Sequence, residues 1–512
     1  MMLRKYLYLL WALPLTAADI CSDVRAAGIE VERPLTPDYE KVLNDYWSTA
    51  CSALRPTCIF SPSDAQEVST IVTLLQGTND LFAVKSGGHM PNLGFSSIDH
   101  GVLIAMRKFK TIEYDESTQR VVLGPGLQWD EAQEGIEATG RTVVGGRMGA
   151  VGLGGYLIGG GLSFLSSQWG WGVNSLVEVE MVLANGTIVQ ASDKLNSVSD
   201  LFNAVKGGGN NFGIVTAYTL STHPISPQIW GGNYIFTGSQ SDEVIAAVHD
   251  FSTNYPDDKA GIIVTRLRGL LTNIWTIYLF YDGPSPPPHV FERFRAIGPT
   301  SDTTRTRTYV DLVTENNKVI VPATIDDVAS ETTPLDPNTL SNSSTILHAV
   351  HDYWSDVVTS LITLPDTFAT MTYQPLSRTI SEKAGTGVDR DGNADTNTPG
   401  GSSVGLINFP ASHDFVVLQF HFSYVLSVLN QNQVSDALSR IHSGTKELVD
   451  HRIVSGELPD VRRPMYMNDM NGNQEYWARL GADKVAFARG VRESVDPDRF
   501  WQERTSGGFR LG

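Results

Sequence analysis

The chain reads as an α+β protein built in two main parts, on three observations. Glycine crowds the first half, in tight turns that follow short apolar runs. Near residue 225 that texture stops at Pro224 and Pro227, and long alternating runs take over. A length of 512 residues also exceeds what one ordinary core organises. The expected division is a leader over 1–18, a first domain over 19–225, a second over 226–464 and a closing segment over 465–512.

The elements follow in order. Ser61-Pro62 opens a helix over 61–75, with Val68, Ile71, Val72 and Leu75 as its apolar stripe. Leu81–Val84 is a short strand running into Ser86-Gly-Gly, and Val102–Met106 is another. Thr111–Tyr114 and Val121–Leu123 form a hairpin around Glu116–Gln119. Leu127–Ala138 is helical and stops at Gly140. Leu176–Leu183 and Thr187–Gln190 pair across Asn185-Gly186, and Ile214–Leu220 closes this half. In the second half, Ile262–Arg266, Trp275–Tyr281 and Phe415–Tyr424 alternate as an antiparallel sheet should. Helices over Asp242–Thr253, Ser344–Leu361 and Asn432–Leu448 would cover it. Loops are expected at Pro284–Pro288 and over Gly385–Ser403.

Composition narrows the partners. Acidic residues outnumber basic ones 56 to 38, a net charge of −18 that repels a polyanion and argues against nucleic acid. Arg4 and Lys5, the apolar run Tyr6–Leu15 and the small residues Thr16-Ala-Ala18 form a secretory leader pattern, too short to span a bilayer. Three cysteines follow, Cys21, Cys51 and Cys58. In an oxidising compartment they give one disulfide and one thiol. Cys21–Cys58 is favoured because it ties down the new N-terminus, and the other pairings stay open. Sequons at Asn185-Gly-Thr187 and Asn342-Ser-Ser344 fit the same compartment.

Three glycine clusters share the first half: Ser86-Gly-Gly, Gly152–Gly161 and Gly207-Gly-Gly209. One such cluster means only a tight turn. Three beside β-like runs point to backbone amides approaching an anionic ligand, as a dinucleotide's phosphates require. His89 stands directly behind the first loop, placed to touch the ligand's reactive ring. Neither a strict Rossmann glycine fingerprint nor a P-loop lysine occurs, so those readings are weak.

The segments Phe82-Ala-Val-Lys-Ser-Gly-Gly-His89, Gly124-Pro-Gly126, Val151-Gly-Leu-Gly-Gly-Tyr-Leu-Ile-Gly-Gly-Gly161 and Gly207-Gly-Gly-Asn-Asn-Phe-Gly-Ile-Val-Thr216 come in a telling order. They resemble the FAD domain of the vanillyl-alcohol-oxidase type flavoproteins, specifically the berberine-bridge-enzyme-like oxidases. Tyr466-Met-Asn468 and Asp496-Pro-Asp-Arg-Phe500 resemble that family's closing segment. The likeness covers 35–225 and 460–502 well and the middle in outline. It implies a two-part FAD domain of the PCMH type, an antiparallel substrate domain covered by helices, and a C-terminal segment that returns to the FAD domain.

The resemblance also implies a site. FAD is held by Lys85, Ser86, Gly87, Gly88 and His89, with His89 bonded covalently to the flavin's C8 methyl. The second loop contributes Met148, Gly149, Val151, Gly154, Gly155, Tyr156, Gly159, Gly160 and Gly161. Gly209, Phe212, Gly213, Ile214 and Val215 come from the third, and Asn468 from the closing segment. Many relatives add a cysteine link where this chain has Met148, so attachment through His89 alone is implied. Tyr156 stands where doubly linked relatives often carry histidine. Val151 stands where oxygen-reactive relatives tend to have valine, which favours an O2-using oxidase.

In Phe415–Tyr424, alternation puts Val417, Gln419, His421 and Ser423 on one face. Gln419 matches the position of an active-site carboxylate or amide in relatives, while His421 fits a pocket or a solvated face equally. Tyr466 is implied to approach the ring. Where relatives have a tyrosine after the asparagine, this chain has Asp469, a substitute base unless the base lies elsewhere.

Other motifs carry less. Gly401-Ser-Ser-Val-Gly405 matches a nucleophile elbow but follows a polar loop instead of a strand. His348 and His351 lack further metal ligands, and no metal is expected. The resulting expectation is a secreted FAD-dependent oxidase that removes a hydride from an alcohol or amine carbon of a small secondary-metabolite-type substrate, with or without ring closure, and yields hydrogen peroxide. The same-fold rival is a carbohydrate oxidase, and the rival of another class is a non-catalytic ligand-binding protein.

Overall fold

The computed structural model describes residues 19–512 apart from 195–197, 320–322, 337–344, 365, 386–404, 408 and 426–427. The expected leader, the sequon at 342–344, almost all of the loop at 385–403 and Ser403 of the elbow motif therefore lie outside the described residues.

Among the described residues the first half holds two larger sheets and a two-stranded pairing of Arg141–Thr142 with His223–Pro224. One has the order Val31–Glu32, Cys58–Phe60, Val102–Ala105, Phe82–Lys85, and its last three strands run parallel. Ligands of such sheets gather beyond the carboxyl ends of the strands, and there Phe82–Lys85 delivers Ser86-Gly-Gly-His89. The Cys21–Cys58 disulfide joins the first helix, Ile20–Ala26, to this sheet, and Cys51 is left as a buried thiol.

The helix expected to start at Ser61 spans Ala65–Gln76. Its cap is Asp64, which accepts the Glu67 N–H at 2.8 Å, because Ser61 is committed to the Glu32 carboxylate at 2.7 Å. Val68, Ile71, Val72 and Leu75 are fully buried beneath it, as the stripe requires. The second sheet is antiparallel, ordered Ile112–Asp115, Arg120–Leu123, Ile214–Ser221, Leu176–Val182, Ile188–Ser192. Both expected hairpins are in it, and Gly186 takes the left-handed turn position at φ +79°.

The second half is one large antiparallel sheet. Its order is Ser301–Asp302, Ile229–Thr237, Asn273–Tyr281, Ala260–Arg268, Thr367–Leu376, Phe415–Tyr424, Ile325–Pro334, with Arg305–Arg307 also on Ile229–Thr237. Helices Ser241–Asn254, Ile346–Thr359 and Val428–Val454 cover one face. There Val416, Leu418, Phe420, Phe422 and Tyr424 join Trp354, Val350 and Ile441 in the largest core. The opposite face carries Thr372, Gln374, Gln419 and His421 and turns toward the glycine loops. His348 and His351 are buried under this sheet's helices, and no metal-holding cluster occurs among the described residues.

The chain then returns to the first half. Asn211 accepts the Leu511 N–H at 3.1 Å and donates to the Phe509 carbonyl at 2.9 Å, while Ser506 N–H reaches the Phe82 carbonyl at 2.8 Å. Asp496 receives the Phe500 and Trp501 amides at 2.7 and 2.9 Å, the reason for an aspartate at the head of that motif.

One buried ion pair ties this segment to the sheet. Glu331 is fully buried, and Arg479 reaches its two oxygens at 2.6 and 3.1 Å. Arg479→Met removes both of those bonds and leaves the carboxylate to the Thr332 N–H at 2.8 Å and to Arg463 at 4.0 Å, which costs about 3 kcal/mol. Chemical denaturation should record an earlier midpoint, with most of the loss recovered in the Glu331→Gln, Arg479→Met double variant.

Candidate active site

Two glycine loops are pressed together backbone to backbone. A Cβ on Gly87 would fall 2.4 Å from the Gly152 Cα, and one on Gly152 would fall 2.5 Å from the Gly87 Cα. Only glycine permits that approach. Ser86 locks the contact by donating its hydroxyl to the Pro125 carbonyl and accepting the Gly154 N–H at 3.3 Å. Tyr218 donates to the Gly154 carbonyl at 3.1 Å from the second sheet. Gly88, Gly160, Gly161 and Gly209 all take positive φ, from +62° to +108°.

Space is distributed unevenly along this floor. A Cβ on Gly159 would strike the Asn468 amide, one on Gly161 the Tyr156 ring, and one on Gly209 the Met467 sulfur. Gly155, by contrast, is exposed and faces nothing within 4 Å. Gly149 packs against Asp130 and donates to the Val313 carbonyl at 2.9 Å. Phe212, Gly213, Ile214 and Val215 lie beneath, the last two paired with Val182 and Met181.

At one end of the cleft stands His89. Trp47 stacks on its ring at 4.4 Å, and no described residue hydrogen-bonds its nitrogens. Burial among protein atoms pushes its pKa down to about 4, so the imidazole is neutral with a free lone pair at ordinary pH. Lys85 packs its stem against Gly88, where a Cβ would fall 2.8 Å from its Cε, with its ammonium 3.2 Å from Asp45 and over the Tyr46 ring. The far side of Trp47 meets His421 at 5.2 Å. His421 Nε2 lies 2.9 Å from the buried Asp326 carboxylate, which also accepts the Ser423 hydroxyl at 2.7 Å.

The other end is built by the closing segment. Tyr466 is buried, and its hydroxyl accepts N–H groups from Leu162 at 3.0 Å and Asn468 at 3.1 Å. Burial pushes its pKa up to about 12, so it stays a neutral phenol. Asn468 also donates to the Tyr156 carbonyl at 3.1 Å, and Tyr156 packs edge-on against Trp129. Met148 lies against the cluster of Phe164, Phe280 and Tyr309, while Val151 packs with the first half's core.

Between the ends, Asp469 is 9% exposed and joined to the sheet's polar face. Gln374 donates to its Oδ2 at 2.6 Å and Gln419 to its Oδ1 at 3.1 Å. Arg147, from the loop before Met148, donates in turn to the Gln374 carbonyl oxygen. Burial raises the Asp469 pKa; the Gln374 bond and the Arg147 charge oppose the rise. The structure thus brings Tyr466 and Asn468 to one end and His89 and His421 to the other, with Gln419 and Asp469 between them. Sequence reasoning missed Trp47, Arg147, Asp326 and Gln374. None sits in a motif, and each becomes visible only when distant elements meet.

Residues 56–192 match the FAD binding domain family. The chain is 41% identical over 494 residues, 96% of its length and 95% of the other, to an uncharacterized FAD-linked oxidoreductase of Arthroderma benhamiae. It is also 41% identical over 258 residues, about half of each chain (50% and 49%), to a bifunctional solanapyrone synthase of Alternaria solani. In fold it is similar to a berberine bridge enzyme variant described as a reticuline dehydrogenase, at TM-score 0.72 and 14% identity over 95% of this chain and 98% of that one.

The chain is an FAD-linked oxidoreductase. Its fold is the one shared by berberine-bridge-enzyme-like proteins. The residues present fit FAD on their own terms. Locked glycine loops leave an open floor over Gly155, and an unpartnered imidazole waits at its end.

Gly155 separates cofactor from fold. Gly155→Ala meets no protein atom and favours its helix by about 1 kcal/mol. Its apoprotein should melt no earlier than wild type while the flavin-to-protein absorbance ratio falls. Gly152→Ala should lower both the melting point and the ratio.

Proposed function

We propose that the protein is a secreted, O2-using oxidase that takes a hydride from an alcohol or amine carbon of a small secondary-metabolite-type molecule, with FAD tethered through His89 alone. When bound, FAD accepts the hydride and returns the electrons to dioxygen, giving hydrogen peroxide. The observation that carries the reading is the buried Asp469 between Gln374 and Gln419, hung from the substrate sheet over the glycine floor.

The chain's own residues have separable tasks. Asp469 receives the acidic proton of the substrate's O–H or N–H group, helped by the burial that raises its pKa. Gln419 is half-buried and offers the cleft a polar group beside that carboxylate. Tyr466 is held by Leu162 and Asn468, so it shapes the cleft as a neutral phenol. His421 is bound to Asp326 and orders the His89 end through Trp47. The low pKa of His89 supports a nucleophilic, neutral ring as the tether. Met148 has no thiol to form a second link. Entry to the secretory pathway is supported by the leader pattern, the Cys21–Cys58 disulfide and an exposed Asn185 in its sequon.

Peroxide release screened across primary alcohols, amines and reducing sugars tests the reaction. A response confined to sugars would move the assignment to a carbohydrate oxidase. Yellow colour should stay with acid-precipitated wild type and leave His89→Ala; a colourless wild-type protein would sink the reading. With a responding substrate, Asp469→Asn should slow flavin reduction roughly 10²–10⁴-fold. Because the carboxylate is the active form and its pKa is raised, the wild-type rate should fall as pH drops through a value above the ordinary carboxylate range. Stopped-flow absorbance reads both.

A further inference from the structure

The hydrogen bonds around Asp469 have a fixed polarity, and its source is Arg147. A guanidinium only donates. Its contact with the Gln374 side-chain oxygen therefore orients that carboxamide, leaving the NH2 group to donate to Asp469 Oδ2 at 2.6 Å. Turning Gln374 over would set its NH2 against the guanidinium and its oxygen against the carboxylate. Gln374 is 2% exposed, so no water relieves either clash. Oδ2 is thus pinned as an acceptor.

Gln419 has no such lock. Its NH2 donates to Oδ1 at 3.1 Å, and no described residue donates to its carbonyl oxygen. The side chain is half-buried, at the cleft. Gln419 lies directly opposite Thr372 on the neighbouring strand, one position diagonal from Gln374, so both carboxamides hang from the same sheet face. An ionised Asp469 accepts on both oxygens. A protonated Asp469 must donate from one of them, and Oδ2 already faces a locked donor. The proton then belongs on Oδ1, where an inverted Gln419 accepts it.

We propose that Arg147 and Gln374 are positioning residues that make Gln419 a proton-dependent switch. With Asp469 ionised, Gln419 shows the cleft a carbonyl oxygen; with Asp469 protonated, it shows an NH2 group. This rests on Asp469 as the proton acceptor proposed above and adds a recognition rule. The cleft accepts a hydrogen bond from a substrate's O–H or N–H group. Once the proton has moved to Oδ1, it donates one to the carbonyl or imine oxidation product. The site is matched to a donor before the reaction and to an acceptor after it. Arg147 and Tyr466 are the charged and titratable groups acting on Asp469; of the strands packed around it, Thr367–Leu376 contributes Gln374, Phe415–Tyr424 contributes Gln419 and His421, and Ile325–Pro334 carries Asp326, Asp327 and Glu331, which are held by His421, Tyr424 and Arg479.

Infrared difference titration of the holoenzyme, carrying 13C-labelled glutamine side chains, tests the switch without turnover. Titration should reveal a protonated-carboxyl band that Asp469→Asn removes, and a glutamine carbonyl band, absent from Gln419→Leu, that shifts at the same midpoint. Arg147→Met should move that midpoint to higher pH and let a second glutamine band, from the released Gln374, shift as well. Arg147→Lys, still a donor-only cation, should restore the single-band pattern. A Gln419 band that stays fixed while Asp469 takes its proton overturns the proposal. So does the absence of any Asp469 carboxyl band, or an Arg147→Met variant that titrates like wild type. If the bands behave as stated but Asp469→Asn leaves flavin reduction unimpaired, the switch stands and Asp469 is not the base.

Discussion

The constraint on which the site depends is the contact between Gly87 and Gly152, where two backbones meet with no room for a Cβ on either side. Everything at the site is referred to it. One loop continues the parallel sheet and sets His89; the other continues into the helix Leu153–Ile158 and sets Gly155 and Tyr156. Ser86, Pro125 and Tyr218 fasten the junction with hydrogen bonds from three different elements. A floor made this way positions a ligand by backbone alone, and it suits a net acidic protein.

The substrate sheet answers with chemistry where the floor supplies shape. Its strands are apolar on the helix side and polar on the cleft side, so the alternation that builds the core also lines up Thr372, Gln374, Gln419 and His421 over the loops. Two carboxylates are buried there, and each is satisfied differently. Asp326 binds His421 and Ser423 at the His89 end. Asp469 is held by two carboxamides with Arg147 behind them. A buried carboxylate without a direct cation keeps a raised pKa, which is what a proton acceptor near neutral pH needs.

Much of this was legible in the residues, and the failures have physical causes. Runs with strict alternation, such as Phe415–Tyr424, declared both their extent and their two faces. Ile325–Pro334 did not, since it is an edge strand with polar residues and a terminal proline, and edges tolerate both. The glycine clusters and His89 were readable because backbone approach leaves a mark in the sequence. Arg147 and Gln374 left none: 227 residues separate them, and only strand register and loop packing make them partners. Lys85 keeps its place beside the loop: its stem packs against Gly88, and Asp45 and Tyr46 hold its ammonium. The C-terminal return was visible only through resemblance, because its work is done by single asparagines such as Asn211.

Peptide mass spectrometry on the purified, unreduced protein bears most directly on the central claim that FAD is held here through one residue. The peptide containing His89 should carry the added mass of FAD, and the peptide containing Met148 should be unmodified. A coloured protein whose His89 peptide is unmodified would contradict the account, as would flavin found on any other residue.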